Sequence, residues 1–452
     1  MGEEGTVSKE KGLREDLWQV IQAALRAVEP RECVRRTLRL TPQGLSIAGE
    51  LHPLPKGRLW VVGFGKASAH MAAAVEEELG ELISGGLVVT ADGYRAETRR
   101  VQVVEAGHPV PDSRGQEAAS RIAELLSQAG EEDLVLVLIS GGGSALLTSP
   151  APGISLSALM STTELLLRSG ATIQELNTVR KHLSRVKGGQ LARLAAPARV
   201  ISLILSDVPG DPLDVIASGP TVPDPTTFQQ AVEVLKRREL WEEVPPEVRE
   251  RLAAGAKGLV PETPKPGASL FQRVRNVVVG CGATAALAAC RRGEELGYRT
   301  LLLTTTLEGE AREVGRVFAS VARELVRWGR PLRPPALVVA AGETTVTVRG
   351  QGKGGRNQEF SLAAALGIQG LSGVVICGLG TDGRDGPTDA AGGVVDGETV
   401  ARIQAAGLDP QKALAENDSH TALRAAGDLL TTGPTGTNVA DLYFVMAGKE
   451  EA

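Results

Sequence analysis

Leu134 to Leu147 reads LVLVLISGGGSALL. An unbroken apolar run, Leu134 to Ile139, stops abruptly at glycines and serines. A strand that is apolar on both sides must be covered on both faces, which is the habit of a parallel sheet flanked by helices. The segment Ser140 to Leu147 that follows offers N–H groups and hydroxyls to an anion, and ligand clefts in such sheets open at the carboxyl ends of strands. A purely structural turn is the other reading.

The same order of strand, glycine turn and helix recurs outward from this point. Upstream, Leu59 to Val62 leads into GFGKAS (Gly63 to Ser68) and an alanine-rich helix, Ala67 to Glu78. Strands follow at Leu87 to Thr90 and at Arg100 to Glu105, the latter ending in GHPVPD, then a helix from Ser113 to Ala129. Downstream, helices at Leu156 to Arg168 and Ile173 to Lys187 precede a strand, Val200 to Leu205, which ends in SDVPGDPLDVIASGPTVPD. Apolar strands alternating with helices predict a parallel α/β sheet. From Trp241 to Ala268 prolines recur (VPPEV, VPETPKPGA) and disrupt regular structure. A second α/β unit is expected to begin at VRNVVVG, Val274 to Gly280. It continues through a hairpin-like pair, Ala336 to Ala341 and Thr344 to Arg349, to GKGGRNQE and a helix at Asn357 to Leu366. The expected division is therefore a first domain at 14–245, a proline-rich linker at 246–270 with one short helix, and a smaller second domain at 271–448.

Composition narrows the function classes. The chain has 452 residues, more than one ordinary core accommodates. Aromatics make up only 3%, so the core must be aliphatic. A net charge of −5 argues against a nucleic-acid partner. Cys33, Cys281, Cys290 and Cys377 show no C-x-x-C spacing and read as buried thiols. The start, MGEEGTVSKEKGLRED, has no apolar signal region, and no apolar run reaches the ~20 residues of a membrane span. A cytoplasmic protein with no membrane partner is expected.

Several segments carry chemistry. In GFGKAS, Gly63 and Gly65 permit close approach of a ligand and Lys66 brings an ammonium to a helix start; a tight turn with an exposed lysine is the plainer reading. In SGGGSALL, Ser140, Gly141, Gly142, Gly143 and Ser144 form the phosphate candidate, although no G-x-x-x-x-G-K-[ST] occurs. NTVRKHLSRVKGG, read as one helix, sets Asn177, Lys181 and Ser184 on a polar stripe, with Arg180 and Lys187 flanking the apolar edge. It is either one wall of a basic cleft or a solvated face. His182 reads as a surface or structural histidine rather than a base. Asp207, Asp211 and Asp214 follow a strand end, where a carboxylate can hold Mg²⁺ or accept a proton, or merely turn the chain. Asp382, Asp385 and Asp389 make a loop resembling an oxygen-ligand site without the EF-hand pattern, or a glycine-rich loop whose aspartates only turn the chain. In GKGGRNQE, Arg356 adds a planar cation to a helix N-terminus, a plausible anion site. GCGATA (Gly280 to Ala285) matches G-x-G-x-x-A, but Thr304, Thr305 and Thr306 stand where a ribose-binding acid is required, so it reads as helix–strand packing.

Taken in order, GFGKAS, GHPVPD, SGGGSALL, NTVRKHLSRVKGG, LSDVPGDPLDVIASGPTVPD, GGRNQE and GTDGRDGPTDAAGG resemble the glycerate 2-kinase family, the type with a C-terminal MOFRL domain. The resemblance runs from Asp16 to Ala447; it departs in a longer start and in AGET at Ala341, where the family often shows GGET. It implies a Rossmann-like N-terminal domain, a smaller C-terminal α/β domain and an active-site cleft between them. It implies transfer of a phosphoryl group from ATP, with Mg²⁺ or another divalent cation, to the 2-hydroxyl of D-glycerate. Lys66, Arg356 and Asp207 match the family's proposed catalytic residues. Asp207 is either base or metal orienter, with Asp382 a second metal candidate. Asn177, Arg180 and Lys181 are the candidates for substrate. An NAD(P)-dependent hydroxypyruvate reductase and a non-catalytic organic-acid sensor are the alternatives. The oligomeric state is left at monomer or homodimer.

Overall fold

The computed structural model describes residues 2–448, with side chains from residue 11. Met1, where the stretch read for targeting signals begins, lies outside the described residues. These residues divide into two compact units: 30–206 with 211–279, and 2–29 with 207–210 and 280–448.

The first unit is built on a six-stranded sheet in the order Val101–Ala106, Ile83–Ala91, Leu59–Phe64, Leu134–Ile139, Arg199–Leu205, Val274–Gly280. The pairs among the first five strands are parallel, with Val62 in register with both Leu87 and Val137. The chain builds outward from Leu59–Phe64 in one direction, then returns to its other side at Leu134–Ile139. This reversal is the topological switch point of a doubly wound sheet. Leu134–Ile139 is buried at every position, as its unbroken apolar run requires.

A helical layer has its own core. Leu156–Arg168, Ile173–His182, Phe228–Arg237 and Pro246–Ala256 share Leu159, Leu166, Val179, Phe228, Leu235, Val248 and Leu252. Two capping boxes, Thr172 with Glu175 and Thr227 with Gln230, start the second and third of these helices. Val248 and Leu252, one turn apart, bury into this core, so residues 246–256 are integral rather than a linker. Val274–Gly280, expected to open the second domain, is instead the sixth strand of this sheet. The side chain of Asn276 ties it there, accepting from Thr221 Oγ1 at 2.7 Å and donating to Thr221 O at 3.3 Å. The helix expected to reach Lys187 stops at His182. Ser184 Oγ takes the N–H groups of Val186 and Lys187, and Gly188 and Gly189 turn the chain with positive φ.

The second unit has a mixed six-stranded sheet in the order Arg299–Leu307, Ala336–Gly342, Asp441–Ala447, Val374–Gly380, Gly392–Asp396, Leu429–Leu430. Only the first pair is parallel. Thr344–Arg349 forms no strand, because both edges of Ala336–Gly342 are already taken; it keeps one isolated bridge, Thr345 to Glu310. The helix Gly2–Ala27 belongs to this unit, not to the first as expected. Leu13, Leu17, Val20, Ile21 and Ala24 make its buried stripe, Tyr298 donates to Asp16 at 2.7 Å, and Arg14 donates to Asp428 at 2.9 Å. No described helix is long and apolar enough to cross a membrane.

Candidate functional site

At the switch point of the parallel sheet the two glycine turns are locked together. Lys66 N donates to Gly141 O at 2.9 Å, and Ala67 N donates to Ser140 Oγ at 3.0 Å. Gly65 has φ +120°, and a Cβ there would lie 2.3 Å from Ser140 O. Gly63 is equally tight: its Cβ would fall 2.8 Å from Leu138 Cβ. Gly142, at φ +82°, starts the short helix Gly143–Leu146; a Cβ on it would stand 2.8 Å from His108 Nε2 and 3.5 Å from Lys66 Cγ. Lys66 and Ser140–Ser144, distant in sequence, thus share one corner.

A polar relay leaves this corner. Ser144 Oγ and Ser218 Oγ lie 2.9 Å apart, and Ser218 Oγ donates to Asn177 Oδ1 at 2.9 Å. Asn177 is buried and its Nδ2 has no hydrogen-bond partner, so an unspent donor sits beside the turn. Ala217, Ser218 and Gly219 are all left-handed, with φ of 49°, 63° and 62°. Two non-glycine residues held this way are strained, a state typical of functional sites.

Two cations meet on the same turn. Arg180 Nη2 donates to Ser144 O at 3.2 Å, and Lys187 Nζ donates to Ser144 O at 2.8 Å and to Leu147 O at 3.3 Å. Burial pushes the Arg180 guanidinium down to about 10. Burial, with Arg180 as a like charge, pushes Lys187 well below the usual lysine range. Neither has a carboxylate within 4 Å among the described residues, although Lys187 is only 2% exposed. Holding these groups charged without a counterion is costly, and an incoming anion would favour their charged forms. Lys181 is placed differently. It pairs with Asp224 at 3.5 Å and Asp214 at 3.8 Å, so its charge is already balanced. The helix ends at His182, which breaks the expected stripe of Asn177, Lys181 and Ser184. His182 is structural: its Nδ1 meets Thr178 O at 2.7 Å and its Nε2 meets Glu262 at 3.1 Å.

In the mixed-sheet unit Arg356 opens the helix Arg356–Gly367 and is held on three sides. Its Nε and Nη2 donate to the two oxygens of Asp441 at 2.5 and 3.0 Å, and its Nη1 donates to Glu343 at 2.5 Å. Burial opposes the charge on Arg356, but Asp441 and Glu343 raise its pKa further. Burial, partly offset by Arg356, raises Glu343 and Asp441. The N-terminus of this helix is not an open anion site. Asp385 fills it, accepting from Asn357 N at 3.1 Å, Gln358 N at 2.8 Å and Gln358 Nε2 at 3.0 Å. Glu359 is bound by Arg312 at 2.8 Å and Asn417 at 2.9 Å.

The loop aspartates reach the surroundings of Arg356: Asp382 adds to the negative field on Glu343, and Asp441 to that on Asp385. Asp207 accepts from Asn438 at 3.4 Å and Asp382 from Arg384 N at 3.0 Å, while Asp389 meets His420 at 3.3 Å. No group of three or more His, Cys, Asp or Glu side chains is placed to hold a metal ion among the described residues. Sequence reading passed over Ser218, Glu343 and Asp441, and took Lys187 only as a flank of a candidate basic cleft or solvated face. Asp441 carries a faint signal, an acid opening the otherwise apolar strand DLYFVMA. The four cysteines are free and buried, as expected. Gly282 of GCGATA packs against Ala341 and Val439, 3.3 Å from where its Cβ would stand.

Comparison with known proteins agrees along nearly the whole chain. Residues 16–253 match a domain of unknown function, DUF4147, and residues 336–441 match the MOFRL family. The chain is 44% identical to the glycerate 2-kinase of Pyrococcus horikoshii, over 96% of this chain and 97% of that protein. It is 44% identical to the D-glycerate 2-kinase of Thermotoga maritima, over 94% of this chain and 96% of that protein. The crystal structure of a glycerate kinase from Thermotoga maritima superposes with a TM-score of 0.86 at 42% identity, covering 97% of this chain and 100% of that one.

Proposed function

The chain belongs to the glycerate 2-kinase family, and from that membership we infer that it transfers a phosphoryl group from ATP to the 2-hydroxyl of D-glycerate, giving 2-phosphoglycerate and ADP. It is a phosphotransferase with a small-molecule substrate, and ATP is its co-substrate. The observation that carries this reading is identity of 44% over nearly the full length of two proteins named for that activity.

Phosphoryl transfer needs positioning and neutralised charge more than covalent help. In this reading Ser140–Ser144, with Gly63 and Gly65 allowing close approach, cradle phosphate. Arg180 and Lys187 supply the buried positive charge behind the turn, and the unspent Asn177 Nδ2 supplies a further donor. Lys66 and Arg356 are the catalytic cations. The bidentate grip of Asp441 supports that role for Arg356, because it fixes the guanidinium plane. Asp207 accepts the proton of the 2-hydroxyl or orients the metal.

Mg²⁺ fits the donors available. Asp207 and Asp382 offer hard carboxylate oxygens, and the lack of a three-ligand cluster among the described residues suits an ion that relies on one or two carboxylates plus substrate phosphates. When bound, Mg²⁺ would neutralise phosphate charge. A cytoplasmic setting accords with a supply of ATP.

The test is a phosphoryl-transfer assay with ATP, Mg²⁺ and D-glycerate, coupled through enolase alone and again with phosphoglycerate mutase added. Signal with enolase alone is expected. Signal only with mutase would mean transfer to the 3-position, and no signal in either would refute the kinase reading.

A further inference from the structure

Beside the turn Gly142–Ser144 the parallel-sheet unit holds a cavity of about 500 Å³. Its lining is of two kinds. One part is cationic: Arg180 and Lys187, brought together because both donate to the same oxygen, Ser144 O. The other part is apolar: Val110, Leu159, Met160, Leu167 and Leu176. Pockets for cofactors and drug-sized ligands have this size and this make-up, an apolar wall with a few placed polar groups.

The kinase reading supplies two ligands, and they suit the cavity unequally. D-glycerate has seven non-hydrogen atoms, four of them oxygen. It would satisfy the cations, but it would fill a small part of the space and leave the apolar wall against water. A nucleoside triphosphate matches both parts: base and ribose present faces that pack on aliphatic side chains, and the phosphates present the negative charge that the two cations lack. Lys66 stands at the phosphate end, its Cγ 3.5 Å from where a Gly142 Cβ would be.

Resting on the kinase reading, we propose that this cavity seats the nucleoside of ATP on Leu159, Met160, Leu167 and Leu176, with Arg180 and Lys187 on its phosphates. None of these four apolar residues belongs to a glycine-rich or charged motif, except that Leu176 borders one. They set nucleotide affinity, and Lys187 is a phosphate ligand.

The experiment uses the full chain and two variants, Leu167→Trp, which fills the cavity from a position that is 59% exposed, and Lys187→Met. The KM for ATP and for D-glycerate is measured separately, and ADP binding is followed by calorimetry. Leu167→Trp should raise the KM for ATP at least tenfold and weaken ADP to match. The KM for D-glycerate should stay within twofold and the unfolding midpoint should hold. Lys187→Met should weaken ADP at least tenfold. A rise in the KM for D-glycerate alone would overturn the proposal by giving the cavity to the acid. No change in either KM with Leu167→Trp would overturn it by showing the cavity unused. Calorimetry separates this from the parent reading. If wild type transfers nothing to glycerate yet loses ADP binding with Leu167→Trp, the kinase assignment fails and the nucleotide cavity stands. No ADP binding by wild type would sink the cavity.

Discussion

Asp441→Asn separates holding Arg356 from merely having it. Asp441 is 1% exposed and accepts from Arg356 Nε at 2.5 Å, Arg356 Nη2 at 3.0 Å and Tyr443 OH at 3.2 Å. Asparagine keeps the shape but only one acceptor oxygen, so one of the two guanidinium bonds must go. A hydrogen bond to a charged group contributes about 1.5–3 kcal/mol. Against this, removing the buried charge recovers some desolvation, and Glu343 still holds Nη1. The net loss of stability should be about 2 kcal/mol, below the 3–5 kcal/mol typical of an orphaned buried charge. The larger effect is on rate. Released from its bidentate grip, Arg356 can rotate, and a misplacement of about 1 Å at a reacting group can cost ~100-fold. The variant should therefore lose kcat by ~10- to 100-fold while the KM for both substrates moves less than threefold. Steady-state kinetics with each substrate varied, together with thermal unfolding, read both quantities. Glu343→Gln is the comparison, since Glu343 is the more exposed partner and should lose less. A variant that unfolds earlier but keeps kcat within twofold would refute the positioning role and leave Asp441 as scaffold only.

Lys66→Ala and Arg356→Ala should each reduce kcat by ~100-fold or more, as loss of a transition-state donor does; retained kcat with only a raised KM would sink both assignments. Gly65→Ala places a Cβ 2.3 Å from Ser140 O at φ +120°. Left-handed strain and overpacking together should destabilise by about 3 kcal/mol, and an unfolding midpoint equal to wild type would contradict the locked-turn geometry. Asp385 gives a pH signature. Burial pushes its carboxyl up to about 6, against the opposing N–H groups of Asn357 and Gln358. The unfolded value is ~3.9, so between these values the folded chain holds a proton that the unfolded chain has lost. Through this group stability rises as pH falls from 7 toward 4, by up to about 3 kcal/mol. Asp385→Asn should flatten that rise, and a wild-type-minus-variant difference that is constant from pH 4 to pH 7 would show that Asp385 does not titrate there.

Much of the fold was legible because its signals are local. The unbroken run Leu134–Ile139, short and closed by glycines, reads as a doubly covered strand, and the repetition of strand, glycine and helix around it indicates the parallel sheet. What failed were inferences about partners. VRNVVVG reads as a strand from either side of a boundary, and its pairing beside Arg199–Leu205 assigns it to the first sheet. Thr344–Arg349 has a strand-like composition, but strand composition does not reserve a place beside a neighbour. Proline-rich sequence around 246–270 suggested a linker, yet the i, i+4 pair Val248 and Leu252 outweighs it by burial. The stripe through Asn177, Lys181 and Ser184 assumed a helix that Ser184 itself terminates by capturing backbone N–H groups.

The site shows the same division more sharply. Glycines, a helix start and an arginine make a segment ready for an anion, and sequence alone cannot say whether the protein has already supplied one. In GKGGRNQE it has: Asp385 occupies the helix N-terminus, and Asp441 and Glu343 occupy Arg356. Asp385 and Asp441 stand 29 and 85 residues beyond Arg356, outside any motif window. In NTVRKHLSRVKGG the outcome splits within one motif. Lys181 is neutralised by Asp224, whereas Arg180 and Lys187 meet only carbonyl oxygens. Charge left unbalanced after folding, rather than charge present in the sequence, distinguishes a binding site from scaffold. By that criterion Arg180 and Lys187 carry an electrostatic demand for a ligand that the described residues do not meet, whereas Arg356 is already paired and held in a fixed orientation by Asp441 and Glu343.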